Sequence, residues 1–184
     1  FLRAAKKRGW SVTGIEPNTS ARNLANSMDS NTVFDSDALQ AFQDQSFDVI
    51  TLWHVLEHLP DLEDDIKTVQ KLLKPNGCVV VAVPNFKSYD ANYYKGFWAA
   101  YDVPRHLWHF SHQSISMLFS KVQMKLESTH PLVMDAYYVS LLSNKLKSRS
   151  YRILNSLWVG FISNLKALKS GEYSSLIYVL KNKN

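Results

Sequence analysis

Short apolar runs alternate along this chain with segments whose apolar residues recur at helical spacing. The apolar runs that predict strands are SVTGIEP (11–17), TVF (32–34), FDVITLW (47–53) and CVVVAVP (78–84). Between them, residues 18–28 and 61–74 have the spacing of amphipathic helices. This alternation predicts an α/β fold with right-handed crossovers, a mostly parallel sheet and helices on both faces.

The C-terminal half continues the pattern with longer helical segments. Residues 112–124 and 134–169 predict helices, the second with a break near residues 148–150, while 125–129 and 174–182 predict strands. We expect these last two strands to pair as an antiparallel hairpin. Pro75-Asn76-Gly77 predicts a turn before the strand at 78–84. Residues 1–184 are predicted to form one domain, with 85–112 and 134–170 as insertions that serve the substrate or act as a lid.

Charge is distributed unevenly over the 184 residues, whose formal net charge is +5. Residues 11–65 hold eleven acids and one base, whereas residues 121–184 hold ten bases and three acids. The basic third either contacts an anionic surface or is a solvated helix face. Cys78 is the single cysteine, which excludes an internal disulfide and fits a reducing compartment, so we expect a cytoplasmic protein.

Acidic residues follow the predicted strands where ligands bind in such folds, beyond the carboxyl ends. Glu16 ends the first strand, and Asp35 and Asp37 follow the second. An acid at the position of Glu16 commonly accepts hydrogen bonds from a ribose, about twenty residues after a glycine-rich turn. Glu16 lies fifteen residues after Phe1 (16 − 1 = 15). We therefore expect the turn and its strand to lie upstream, so that this chain is N-terminally truncated.

The segment His54-Val-Leu-Glu57-His58 matches H-x-x-E-H, a zinc-binding pattern of one peptidase class. Zinc binding would need both histidines on one helical face and a third ligand. His54, however, directly follows a strand, and Leu59-Pro60 disfavours a helix that continues past His58. His106, His109 and His112 would share a face only in a helix. No metal site is therefore predicted.

Four ordered blocks carry a family resemblance: GIEPN, FDVITLWHVLEHLPD, LLKPNGCVVVAVPN and PRHLWHFS. Over residues 1–130 the chain resembles class I S-adenosylmethionine-dependent methyltransferases, in particular a bacterial branch with the pattern LEHLPD…LKPGG…VPN…RHL. The resemblance implies a Rossmann-like methyltransferase sheet. The sequence departs from the pattern at Asn76, where the family has a glycine, and lacks the first strand with its E/D-x-G-x-G-x-G loop.

The resemblance also implies which residues bind the cofactor S-adenosylmethionine. Glu16 would bind the ribose hydroxyls, and Ile15 and Pro17 would flank the adenine. Asp37 would accept a hydrogen bond from the adenine amino group, with the Ala38 N–H nearby, although Asp35 is an equal candidate. Trp53 and His54 would line the methionyl and sulfonium region.

Methyl transfer mainly requires alignment of donor and acceptor, and an O or N acceptor also needs a base. His106 is the candidate base because histidine titrates near neutral pH. Tyr101, Arg105 and His109 are candidates to orient an acceptor, which is a small molecule, a lipid or a sugar-containing compound. The aromatic residues of 85–112 either form an acceptor wall or pack against residues 134–169.

Two other protein classes share part of this pattern with a methyltransferase. A nicotinamide-dependent oxidoreductase would also use an acid at Glu16, but it does not explain the LEH and VPN blocks. A non-catalytic scaffold domain fits the lack of a glycine-rich loop, and for that reason we expect the 184-residue chain alone to bind the donor weakly or not at all. No nucleic-acid partner is expected, and the basic C-terminal third predicts weak contact with a membrane surface.

Overall fold

The computed structural model describes residues 1–28 and 32–183 and divides into two compact units, residues 1–44 and 45–184. The elements of the first unit are α1 (Leu2–Lys7), β1 (Gly14–Ile15), α2 (Thr19–Met28) and β2 (Val33–Phe34), followed by a 3₁₀ segment at Ser36–Ala41. Strands β1 and β2 are parallel, with Gly14 opposite Val33 and Ile15 opposite Phe34. Helix α2 begins where the Asn18 side chain accepts a hydrogen bond from the Ala21 N–H, at 3.0 Å.

The second unit is built around a four-stranded sheet with the strand order β3-β4-β6-β5. Its elements are β3 (Phe47–Trp53), α3 (Leu62–Leu72), β4 (Leu73–Pro84), α4 (Tyr89–Tyr94), α5 (His112–Ser120), β5 (Met124–Pro131), α6 (Asp135–Ser148), α7 (Ile153–Ser170) and β6 (Ser175–Asn182). Strands β3 and β4 are parallel, whereas β6 is antiparallel to both β4 and β5. The predicted C-terminal hairpin and the break between α6 and α7 are both confirmed.

The predicted turn at residues 75–77 lies at a register shift inside β4, where the pairing with β3 is interrupted. Phe47 lies opposite Leu73 and Val49 opposite Cys78, so residues 74–77 oppose Asp48 alone. Gly77 is required there, since a Cβ atom would lie 2.8 Å from the Asp48 carbonyl oxygen. Lys74 also donates to both carboxylate oxygens of Asp48, at 2.9 and 2.8 Å.

The sheet and its flanking helices enclose the main core of the second unit. The side chains of Val79, Val81 and Val83 in β4 are 0% exposed. They pack in one cluster with Ile66 of α3 and Phe119 of α5. The apolar run that predicted this strand is therefore explained by its position between β3 and β6.

A second cluster joins the 85–112 segment to the helices α6 and α7. Tyr94, Trp98 and Ala100 are buried against Val139 of α6 and Val159 of α7. For Tyr94 and Trp98 this settles the open alternative in favour of packing. Tyr93 and Phe97 remain exposed.

Helices α6 and α7 approach each other closely at Gly160. A Cβ atom there would lie 3.0 Å from the Tyr137 Cα atom and 2.7 Å from its Cδ1 atom. Alanine gains about 1 kcal/mol over glycine in a helix, but overpacking costs about 1–3 kcal/mol, and the Tyr137 backbone atom cannot rotate away. We expect Gly160→Ala to lower the free energy of unfolding in urea. Gly96→Ala is the control, because a Cβ at Gly96 meets nothing within 4 Å. A Gly160→Ala protein as stable as wild type would contradict this packing.

Candidate active site

Glu16 lies at the carboxyl end of β1 in the first unit. Its backbone N–H donates to the Phe34 carbonyl at 2.9 Å, which fixes it at the end of the β1–β2 pair. The carboxylate Oε1 accepts from the Asn18 N–H at 2.9 Å. Among the described residues nothing donates to Oε2, so this oxygen is free to accept a hydrogen bond from a ligand.

The structure distinguishes between the two acids that follow β2. Asp35 caps the Ser36–Ala41 segment by accepting from the Ser36 N–H at 2.6 Å, and it pairs with Arg22 at 2.8 Å. Asp37 is exposed, and within the described part of the chain its carboxylate neither accepts a capping hydrogen bond nor pairs with a base. Asp37 is therefore the carboxylate that is available to a ligand. The Ala38 N–H already donates to the Asp35 carbonyl at 3.1 Å.

His54 terminates β3 in the second unit with an unusual backbone conformation. Its N–H donates to the Ala82 carbonyl at 2.9 Å, and its φ is +51°. Residues other than glycine rarely adopt this left-handed region, and such positions concentrate at functional sites. The predicted place of His54 at the strand end is thus confirmed, next to the exposed Trp53.

Two carboxylates hold the His54 imidazole. Its Nε2 lies 3.5 Å from Asp135 Oδ2, and its Nδ1 lies 3.2 Å from Glu57 Oε1. A hydrogen bond to Asp135 and, as the second-largest cause, one to Glu57 raise the pKa of His54 to about 9. Because Asp135 is the first residue of α6, this contact also brings the start of that helix to the end of β3.

The H-x-x-E-H segment does not form the helix that a peptidase zinc site requires. His54 is left-handed, Leu56–His58 is a single 3₁₀ turn, and Leu59 is extended. His54 and His58 consequently do not share one helical face. The sequence-based argument against this pair of zinc ligands agrees with the observed backbone.

Residues 105–108 pack onto the loop that follows β3. The Leu107 N–H donates to the Glu57 carbonyl at 2.8 Å, and the Trp108 indole N–H donates to the Leu59 carbonyl at 2.7 Å. His58 Nδ1 in turn lies 3.0 Å from the Arg105 carbonyl. These contacts place the His106 ring edge-on to the His58 ring, with 4.7 Å between their centroids.

His106 is held in one orientation by a backbone carbonyl group. Its Nδ1 lies 2.8 Å from the Ala100 carbonyl, its Nε2 lies 3.8 Å from Asp102 Oδ2, and its side chain is 11% exposed. Because a carbonyl oxygen can only accept, Nδ1 carries the proton in the neutral ring and Nε2 then has the lone pair. His106 therefore presents a basic nitrogen.

The three residues predicted to orient an acceptor lie on the same segment but have different contacts. Arg105 donates to Asp102 at 2.8 Å. His109 Nε2 donates to the Tyr101 carbonyl at 3.0 Å, and the two rings lie edge to face. Sequence analysis named Glu57 only as part of the H-x-x-E-H pattern and did not single out Asp135, since a helix-initiating aspartate has no distinguishing pattern.

The fold resembles solved methyltransferase structures. A SAM-dependent methyltransferase from Archaeoglobus fulgidus superposes with a TM-score of 0.61 at 19% identity, over 99% of this chain and 80% of that one. Phosphoethanolamine N-methyltransferase 2 from Haemonchus contortus gives 0.58 at 17% identity, over 99% and 45%. The [4+2]-cyclase SpnF gives 0.65 at 14% identity, over 100% and 70%. At such identities the likeness shows the fold alone, and no curated protein sequence matches the chain.

Fold and strand-end acids together define a Rossmann-like α/β protein of the methyltransferase class. Residues 1–129 match the family described as Methyltransferase domain, and the chain belongs to that family. It is accordingly an S-adenosylmethionine-dependent methyltransferase, with S-adenosylmethionine as its cofactor. The unpartnered Glu16 oxygen and the available Asp37 carboxylate fit the ribose and adenine donors of that cofactor.

Proposed function

We propose that this protein methylates an oxygen or nitrogen of an acceptor that is presented at a lipid surface. S-adenosylmethionine, when bound, supplies a methyl group already activated on a sulfonium. The chain therefore has to bind the donor, orient the acceptor and accept a proton. The lipid assignment rests on the apolar, cationic surface of helix α7. Helix α6, which packs against α7, starts at the candidate site.

Donor-binding roles are assigned to each unit by itself in this proposal. In the first unit, Glu16 accepts from the ribose hydroxyls, and Asp37 accepts from the adenine amino group beside Ala38. Ile15 and Pro17 flank the base. In the second unit, Trp53 and His54 border the methionyl portion at the end of β3.

Acceptor handling is assigned to the 99–109 segment. His106 presents the lone pair of Nε2, which is the group required to take a proton from an acceptor hydroxyl or amine. Tyr101, Arg105 and His109 lie on the same segment and offer an aromatic ring, a guanidinium and an imidazole to orient the acceptor.

Helix α7 exposes an apolar surface on one side. Its exposed apolar residues, here called the α7 surface, are Ile153, Leu154, Leu157, Trp158, Phe161, Leu165 and Leu168. Leu154 is 85% exposed and Leu168 is 72% exposed. Solvated apolar side chains in such a row mark an interaction surface. Among the described residues no helix is long and apolar enough to cross a membrane.

Charge around the α7 surface favours an anionic lipid surface as its partner. Residues 136–171 contain no acid and six exposed bases: Lys145, Lys147, Arg149, Arg152, Lys166 and Lys169. A second copy of this chain would bring the same positive charge against itself, whereas anionic headgroups neutralise it. The contact between Asp135 and His54 places the start of α6, which packs against α7, at the end of β3.

Vesicle binding should depend on the aromatic residues of this surface. Trp158→Ser with Phe161→Ser removes two apolar side chains, each contributing about 1.5–3 kcal/mol when buried, so affinity for anionic vesicles should fall at least about tenfold. Co-sedimentation with phosphatidylglycerol and phosphatidylcholine vesicles measures this. Met117→Ser in α5, which is also exposed, is the control. Equal binding by the double variant and wild type would contradict the assignment.

Transfer of a labelled methyl group tests the function itself. The protein is incubated with methyl-labelled S-adenosylmethionine and a whole-cell extract, and the products are partitioned between organic and aqueous phases. Label in the organic phase is expected. Label only in the aqueous phase would contradict the lipid acceptor, and no transfer by the full gene product would favour the alternative of a non-catalytic scaffold.

A further inference from the structure

Glu57, His58 and His106 form a cluster of metal-ligating side chains. One ligand atom from each residue lies within 4.8 Å of the other two. Glu57 and His58 come from the loop after β3, and His106 from the segment that packs on it, so the cluster forms only through tertiary contacts. We propose that these three residues bind a divalent transition-metal ion of the zinc type.

Both histidines are prepared as ligands by backbone carbonyls. His58 Nδ1 donates to the Arg105 carbonyl and His106 Nδ1 donates to the Ala100 carbonyl, at 3.0 and 2.8 Å. Each Nε2 is therefore left with a lone pair. Histidines that bind a metal usually donate a hydrogen bond from their other ring nitrogen, which fixes the tautomer and the ring orientation.

Glu57 supplies an independent observation that points to a cation. Its side chain is 1% exposed, and its Oε1 is 3.2 Å from His54 Nδ1. Its Oε2 is buried and has no hydrogen-bond partner among the described residues. A buried carboxylate oxygen without a partner is costly, and a bound cation would compensate it.

The ligand types select the class of metal. Two imidazole nitrogens and one carboxylate oxygen are a ligand set of catalytic zinc sites, whereas Mg²⁺ and Ca²⁺ prefer oxygen ligands alone. Metal–ligand bonds of about 2.0–2.2 Å keep two ligands of one ion within about 4.3 Å of each other. The cluster therefore closes slightly on binding, which the exposed His58 side chain permits.

Metal binding and proton transfer use the same lone pair of His106. With an ion bound, His106 would be a ligand and could not accept the proton; the zinc ion would lower the pKa of its bound water towards neutral and so supply a hydroxide as the base. This consequence rests on the proposed function, but the metal site itself does not.

Calorimetric titration of the chelator-treated 184-residue chain with Zn²⁺ tests the site. We expect one high-affinity site. Loss of only an outer hydrogen-bond partner of a ligand weakens metal affinity about 10–100-fold. His58→Ala and His106→Ala each remove a ligand itself, so we expect each to weaken zinc affinity by more than that. Glu57→Gln should do the same. His130→Ala removes an exposed histidine in β5 and should leave binding unchanged.

Three results would overturn the proposal: no zinc binding at micromolar concentration, equal affinity in the His58→Ala variant and wild type, or tighter binding of Mg²⁺ than of Zn²⁺. Circular dichroism of each variant shows whether it is folded. If Glu57→Gln or His106→Ala fails to fold, the exposed His58 still decides the question. Binding is read without any methyl transfer, so failure of the metal site and failure of the proposed function are separable.

Discussion

Asp90→Ala is expected to lower the free energy of unfolding of the second unit by about 3–5 kcal/mol. Asp90 is 0% exposed and accepts three hydrogen bonds. Ser163 donates to Oδ1 at 2.6 Å, while the Trp98 indole and Ser174 each donate to Oδ2 at 2.7 Å. Alanine leaves three buried donors unpaired at about 1–3 kcal/mol each, partly offset because a buried charge is removed.

Asparagine at position 90 is the matched control for this prediction. Its carbonyl oxygen can take the place of Oδ2, and its amide can donate to the Ser163 hydroxyl, which is able to accept. Asp90→Asn should therefore cost clearly less than Asp90→Ala in urea unfolding followed by circular dichroism. Equal losses for the two variants, or an alanine variant within about 1 kcal/mol of wild type, would show that this network does not join α4, α7 and the start of β6.

Glu16→Ala is expected to weaken S-adenosylhomocysteine binding at least about tenfold. A hydrogen bond to a charged group contributes about 1.5–3 kcal/mol, and 1.4 kcal/mol corresponds to a factor of ten. The measurement is calorimetric titration of the full gene product, because the 184-residue chain alone is expected to bind the donor weakly or not at all. Glu127→Ala removes an exposed acid of β5 and is the control. Unchanged affinity in Glu16→Ala would mean that Glu16 does not contact the cofactor.

The features that depend on the local order of apolar and polar residues could be predicted from the sequence. Apart from α4 (Tyr89–Tyr94) and the start of β4, the strands and helices were predicted within a few residues, because apolar runs and helical spacing report directly on burial. Glu16 and His54 were predicted to lie at strand ends, since the carboxyl ends of parallel strands form one edge. Asp37 could not be separated from Asp35, because only the contacts with Ser36 and Arg22 show that Asp35 is already bound within the structure.

Features that depend on distant parts of the chain were not predictable. The H-x-x-E-H pattern drew attention to His54 and His58, whereas the structure groups Glu57 and His58 with His106. That grouping follows from the hydrogen bonds of Leu107 and Trp108 to the loop after β3. The register shift at residues 74–77 likewise depends on pairing with β3, which the Pro-Asn-Gly sequence alone does not reveal.

The central claim is that Glu16 binds the ribose of S-adenosylmethionine, and a double-mutant comparison tests it directly. The wild-type and Glu16→Ala forms of the full gene product are each titrated with S-adenosylhomocysteine and with its 2′-deoxy analogue. If Glu16 accepts from the ribose hydroxyl, wild type should lose at least about tenfold in affinity for the analogue, and Glu16→Ala should bind both compounds alike. An equal loss for the analogue in both proteins would contradict the contact and, with it, this assignment of the cofactor site.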